Sequence, residues 1–116
     1  MKLMIEVSVG DFIDRFSILE IKQQHGLEVI QELHQYSKLQ SELEALGFDH
    51  YKNLLFSINS RLWLLEDQKR QFTDRNSESY ANVAELITQL NDLRYAVKKK
   101  ADEYFKSSIS EKKSHS

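Results

Sequence analysis

Six polar residues lie on or beside apolar helix faces, where their side chains can meet in the interior of a helical bundle. They comprise two acids, two bases and two amides, namely Glu20, Asn59, Glu66, Asn91, Arg94 and Lys98. An arginine can bind a carboxylate through two parallel hydrogen bonds, and amides can satisfy the donors and acceptors that remain. Because an unpaired buried charge is very costly, Glu20 needs a partner, and we expect it to pair with Arg94.

Three interpretations of these polar residues stay open. They can form an internal ion-pair network that fixes the register of the helices, since their charges neutralise one another. They can instead line a small site between helices for an anionic or polar ligand, because bundle interiors host such sites. In the third interpretation some of the six side chains simply reach solvent.

Other kinds of chemistry lack the residues they need. The histidines occur without a pair four residues apart, so we expect no metal site; they are His25, His34, His50 and His115. The sequence contains no cysteine, which excludes a thiolate nucleophile and a disulfide framework. No glycine-rich phosphate loop or nucleophile elbow is present, so we predict neither a cofactor nor catalysis.

The first helix must position Glu20, and its boundaries are clearly marked. Ser8 and Asp11 form a variant of the capping box, which predicts a helix over residues 9–24 closed by His25 and Gly26. At about 100° per residue, one broad apolar face contains Phe12, Ile13, Phe16 and Leu19, with Glu20 inside it. The opposite side is predicted to be polar and contains Asp11, Asp14, Arg15 and Lys22.

The rest of the chain predicts three further helices, over residues 27–46, 50–74 and 78–105, with Gly47 ending the second and Asp49 capping the third. The expected fold is an all-α antiparallel bundle of about four helices, dominated by the hairpin of helices 3 and 4. Residues 1–106 form the single domain, and residues 3–7 are an arm or a short strand. Residues 107–116 are polar and are predicted to be a flexible tail.

The composition fits one ordinary globular domain of 116 residues, with 41% hydrophobic and 29% charged residues. No proline and only three glycines occur, which favours helices throughout. The net charge of −2 argues against nucleic acid as a partner. The apolar runs are too short for a membrane span and no signal peptide is visible, so we expect a cytoplasmic protein.

Two blocks at the start of the chain are distinctive: residues 5–10 read I-E-V-S-V-G, and residues 14–22 read D-R-F-S-I-L-E-I-K. They resemble the opening of a bacterial family of small domains of unknown function. Later positions are similar too, including Asn59, Arg94 and residues 111–114. The resemblance implies a helical fold and a bacterial cytoplasmic setting, and it favours residues 111–114 as a docking peptide for a protein partner.

The predicted function is that of a non-catalytic interaction or accessory protein that self-associates, with a dimer favoured. Ile18 and Ile21 widen the apolar surface of helix 1, and Phe56 and Trp63 add a second ridge on helix 3. Exposed apolar stripes of this kind mark interfaces. The alternative is an enzyme or small-anion binder that resembles helical chorismate mutases in architecture only.

Overall fold

The computed structural model describes the backbone of residues 6–114 and the side chains of residues 6–106. It contains four helices: α1 (Val9–Gln24), α2 (Ile30–Gln40), α3 (Ala45–Gln71) and α4 (Glu78–Ser114). The two longest, α3 and α4, form an antiparallel hairpin; α1 packs against both of them, and α2 packs on α1. The predicted all-α bundle with a long C-terminal hairpin is confirmed, and residues 6–114 include no strand.

The boundaries of α1 match the prediction. The Ser8 hydroxyl accepts a hydrogen bond from the Asp11 amide at 3.1 Å, which caps the first turn. At the other end, Gly26 adopts a φ of +79°, a left-handed conformation that residues other than glycine rarely adopt. This turn allows the Leu27 amide to donate to the Lys22 carbonyl oxygen at 3.0 Å and ends the helix.

The predicted boundary between helices 2 and 3 is wrong. Helix α2 ends at Gln40, because the Glu44 side chain begins a new helix by accepting from the amides of Leu46 and Gly47. Gly47 therefore lies in the first turn of α3 instead of ending α2, and Asp49 is not a cap. Leucine spacing continued across this break, which is why the periodicity indicated one longer helix.

Glu44 and Gly47 also contact α4, through its Tyr104 side chain. A Cβ atom on Gly47 would collide with the Tyr104 ring, so only glycine allows this approach. The Tyr104 hydroxyl donates to Glu44 Oε2 at 2.7 Å. This bond raises the pKa of Tyr104. It also makes the largest contribution to the lowered pKa of Glu44, and the hydrogen bond from the Gly47 amide makes the next largest.

Tyr104→Phe is expected to lower the melting temperature only in the pH range where the bond to Glu44 exists. Glu44, with its lowered pKa, loses the bond as the pH falls below its usual 4.5 and the carboxylate takes up a proton. Tyr104, with its raised pKa, loses its donor proton only as the pH rises above 10.0. Melting curves of wild type and variant should therefore differ at neutral pH and converge in acid. Tyr95→Phe, at an exposed tyrosine without a hydrogen bond in the described chain, is the control; a constant difference down to low pH would contradict the bond.

The core lies between α1 and the hairpin. Its buried residues are Ile13, Phe16, Phe48, Leu55, Ile58, Leu62, Leu65, Ile87, Val97, Ala101 and Phe105. Helix α2 contributes no buried residue and packs on the body through the partly buried Leu33 and Tyr36; the Tyr36 ring stacks on Phe12 with centroids 5.1 Å apart. The hairpin and α1 thus form the packed body of the protein, and α2 lies against its side.

Two predictions concern the ends of the chain. Residues 3–5 of the predicted arm or strand lie outside the described residues. Helix α4 runs past the predicted end at Phe105, while the predicted mobility of residues 107–116 and the docking role of residues 111–114 stay predictions. No helix in the described part of the chain has the length and apolar character to cross a membrane.

Candidate functional site

The interface between α1 and α4 is unusually close because it contains Gly10. A Cβ atom at this position would overlap the backbone carbonyl oxygen of Lys98. The Gly10 amide lies in the first helical turn and therefore has no partner within α1. It donates instead to Asp102 Oδ1 of α4, at 2.6 Å. One turn before Asp102 on α4, Lys98 Nζ lies 2.6 Å from Asp11 Oδ1, and this bond lowers the pKa of Asp11.

The centre of this interface is Asp14, which is only 2% exposed. Arg94 binds it through two hydrogen bonds, from Nε to Oδ1 at 2.9 Å and from Nη2 to Oδ2 at 2.6 Å. Asn59 of α3 donates to the same Oδ1 at 2.8 Å and to the Ser17 hydroxyl at 2.9 Å. The hydrogen bond to Asp14 raises the pKa of Arg94. Asp14 thus joins three helices through one buried carboxylate.

The expected pair of Glu20 with Arg94 is wrong, and so is the placement of Asp14 on a polar side of α1. Helix α1 packs against both α3 and α4, so the side opposite its aromatic face is also buried. Asp14 lies on that side and takes Arg94 as its partner. Sequence analysis missed both Asp14 and Ser17. The available signal was a stripe of small and polar residues that follows Gly10 at helical spacing.

Glu20 pairs with Lys52 instead, at 3.4 Å between Oε2 and Nζ. Lys52 also lies over the rings of Phe16 and Phe48, with Nζ 5.6 and 5.8 Å from their centroids. The second carboxylate oxygen, Oε1, is buried without a hydrogen-bond partner in the described chain. Glu20 and Arg94 therefore belong to different polar groups on different sides of α1.

A cleft of about 340 Å³ opens between α1, α3 and α4, beside the Asp14 network. Its lining residues are Ile18, Ile21, Asn59, Leu62, Trp63, Glu66, Arg70, Asn91 and Arg94. Four of the six predicted polar residues therefore meet at this cleft, while Glu20 and Lys98 do not line it. Glu66 and Asn91 make no side-chain hydrogen bond within residues 6–106. We call this feature the Trp63 cleft.

The apolar residues of helix 1 that were predicted to form an interface instead line the Trp63 cleft within the chain. Ile21 is 2% exposed, and Ile18 is partly buried against the same cleft. Trp63 is half-buried, and its ring stacks on His25 with centroids 4.6 Å apart. These side chains are therefore covered largely within the chain, and they form the walls of a concave site.

Among the described residues, no group of three or more acidic, histidine or cysteine side chains is placed to hold a metal ion. No family model matches the chain, and no curated protein or solved structure is significantly similar to it.

Proposed function

We propose that this chain is a non-catalytic interaction protein that forms a dimer through the outer face of the α3/α4 hairpin. The observation that carries the proposal is a set of four exposed leucines on both helices of the hairpin. Leu54, Leu64, Leu86 and Leu93 are 41, 61, 38 and 50% exposed. We call them the outer leucine patch.

The α3 members of this patch lie on the side of the helix that faces away from α1. Leu54 and Leu64 each lie five residues from Asn59, an α3 residue that hydrogen-bonds to α1. At about 100° per residue, they point about 140° away from Asn59 in opposite rotational senses and so lie about 80° apart on the outer side of α3. A surface that α1 leaves open thus carries large apolar side chains.

The α4 members lie along the edge that faces α3. Leu86 and Leu93 are seven residues apart and share one stripe, which Tyr104 continues after three further turns. Tyr104 contacts the start of α3 at Glu44 and Gly47. The α4 leucines therefore border the outer groove of the hairpin, while Leu54 and Leu64 lie on the outer side of α3, so that the four leucines together make the outer face of the hairpin partly apolar.

A second copy of this chain is the partner that fits this patch. An α3 of 27 residues is about 40 Å long, and two adjacent helices are about 20 Å wide. The outer face thus offers about 800 Å² for each partner, as a standard stable interface requires. Two antiparallel hairpins that pack face to face, related by a two-fold axis, would form a four-helix arrangement with the leucines inside.

Light scattering tests the proposal, since a dimer has twice the monomer mass of 13.7 kDa. We expect wild type to be a dimer at micromolar concentration and the double variant Leu64→Glu, Leu93→Glu to be a folded monomer. The control is Tyr95→Glu, which adds an acid at a side chain that is 67% exposed on another side of α4. It should stay dimeric. A monomeric wild type, or equal dissociation of the control, would overturn the proposal.

The enzyme alternative receives less support from the arrangement of charges. A site for an anionic substrate needs cations without partners, whereas Arg94 and Lys98 are bound to Asp14 and Asp11. Three further points stay predictions alongside the proposed dimer: membership of the bacterial family, the cytoplasmic setting, and a protein partner at residues 111–114.

A further inference from the structure

We infer that the Trp63 cleft binds a small organic amine, with the ammonium group at Glu66 and Asn59 and an apolar body against Trp63. This inference is independent of the proposed dimer, because the cleft lies beside α1 and the outer leucine patch lies away from it.

The charges that line the cleft favour a cation. Arg94 is neutralised by the two-point bond to Asp14, and Arg70 lies 3.4 Å from the carboxylate of Asp67. Glu66 is half-buried and has no ion-pair partner within residues 6–106. The one lining charge without such a partner is therefore negative. An anion would be repelled by Glu66, and Arg94 would attract it only weakly because Asp14 already balances its charge.

Asn59 supplies a second group for an ammonium ion. The residue is 6% exposed, and its amide nitrogen is held by Asp14 and Ser17. The Asp14 carboxylate can only accept, so the amide nitrogen must point toward it. The Asn59 carbonyl oxygen accepts no hydrogen bond from the described chain, and it is not fully buried. It is thus a fixed acceptor in the wall of the cleft, available to an N–H donor of a ligand.

The remaining walls accommodate an apolar body. Ile18, Leu62 and Trp63 line the cleft, and its volume of about 340 Å³ is within the range of small-molecule sites. An indole ring also attracts a cation that lies over its face. A compact hydrocarbon or aromatic group that carries one ammonium group matches this combination of a few acceptors and apolar walls.

Two probes of similar size and opposite charge test the inference, namely 2-phenylethylamine and 3-phenylpropionate. Trp63 is the only tryptophan in the chain, so its fluorescence reports directly on the cleft. We expect the amine to change the fluorescence of Trp63 saturably. The carboxylate should bind at least about tenfold more weakly, because the ammonium group can form a charged hydrogen bond with Glu66 and the carboxylate cannot.

Glu66→Gln should weaken amine binding by about tenfold or more and leave the melting temperature unchanged, because Glu66 has no partner to lose in residues 6–106. The matched control is Glu103→Gln, which removes the same charge at an exposed site of α4 and should bind like wild type. The Leu64→Glu, Leu93→Glu variant should also bind the amine, which separates this inference from the dimer. Equal binding of both probes, no saturable change, or undiminished binding by Glu66→Gln would each overturn it.

Discussion

Replacing Arg94 with alanine is expected to lower the free energy of unfolding by about 3–5 kcal/mol, because it removes the guanidinium group that binds the buried Asp14 carboxylate at two points. Asp14 is 2% exposed and receives both strong hydrogen bonds of the guanidinium group. Asn59 remains as an uncharged donor, and Lys98 Nζ stays 3.9 Å from Asp14 Oδ2 but is bound more closely by Asp11, so the two offset only part of the loss. Urea denaturation of the variant measures the effect.

A double-mutant cycle identifies the partner of Arg94. Asp14→Leu combined with Arg94→Met removes both charges and should recover much of the stability lost in Arg94→Ala, since apolar residues of similar volume can replace a buried pair. A parallel cycle of Glu20→Leu with Arg94→Met should be additive, because Glu20 binds Lys52. Strong coupling in the Glu20 cycle and none in the Asp14 cycle would refute the pairing of Arg94 with Asp14.

Gly10→Ala is expected to destabilise the protein by about 2–3 kcal/mol, a large effect for one added methyl group. Its Cβ would overlap the backbone oxygen of Lys98, and a backbone atom within α4 cannot move aside as the end of a side chain can. The two helices would have to separate, which also weakens the bonds from Gly10 to Asp102 and from Lys98 to Asp11.

Gly26→Ala is the control for this substitution. Gly26 has a φ of +79°, and apart from its chain neighbours nothing lies within 4 Å of the position that an added methyl group would take, so the expected cost is backbone strain of about 1 kcal/mol. Melting temperatures should therefore fall further for Gly10→Ala than for Gly26→Ala. The reverse order would mean that α1 and α4 do not approach each other at Gly10.

Local signals in the sequence predicted the ends of a helix well where the hydrogen bonds that set them lie within the same short stretch of chain. The Ser8 cap and the Gly26 turn set both ends of α1, because each acts through hydrogen bonds within a few residues. The break before α3 was missed, since Glu44 is a less common capping residue and the leucine spacing runs across it.

The site was predicted only in part, because its geometry depends on how three helices pack. Helical spacing singled out Asn59 and Arg94, and in the structure both donate hydrogen bonds to the Asp14 carboxylate. It could not tell which acid of α1 they meet. A helix with neighbours on two sides has no single buried face, so amphipathic periodicity favoured Glu20 over Asp14.

The loose attachment of α2 has a practical consequence for finding partners of this protein. None of its residues is buried, and it contributes to neither the outer leucine patch nor the Trp63 cleft. Side chains such as Gln31 and Gln35 are exposed there. A cysteine introduced at either position would be the sole thiol in the chain, so a fluorophore or cross-linker could be attached at one defined point while both candidate interaction surfaces remain unmodified.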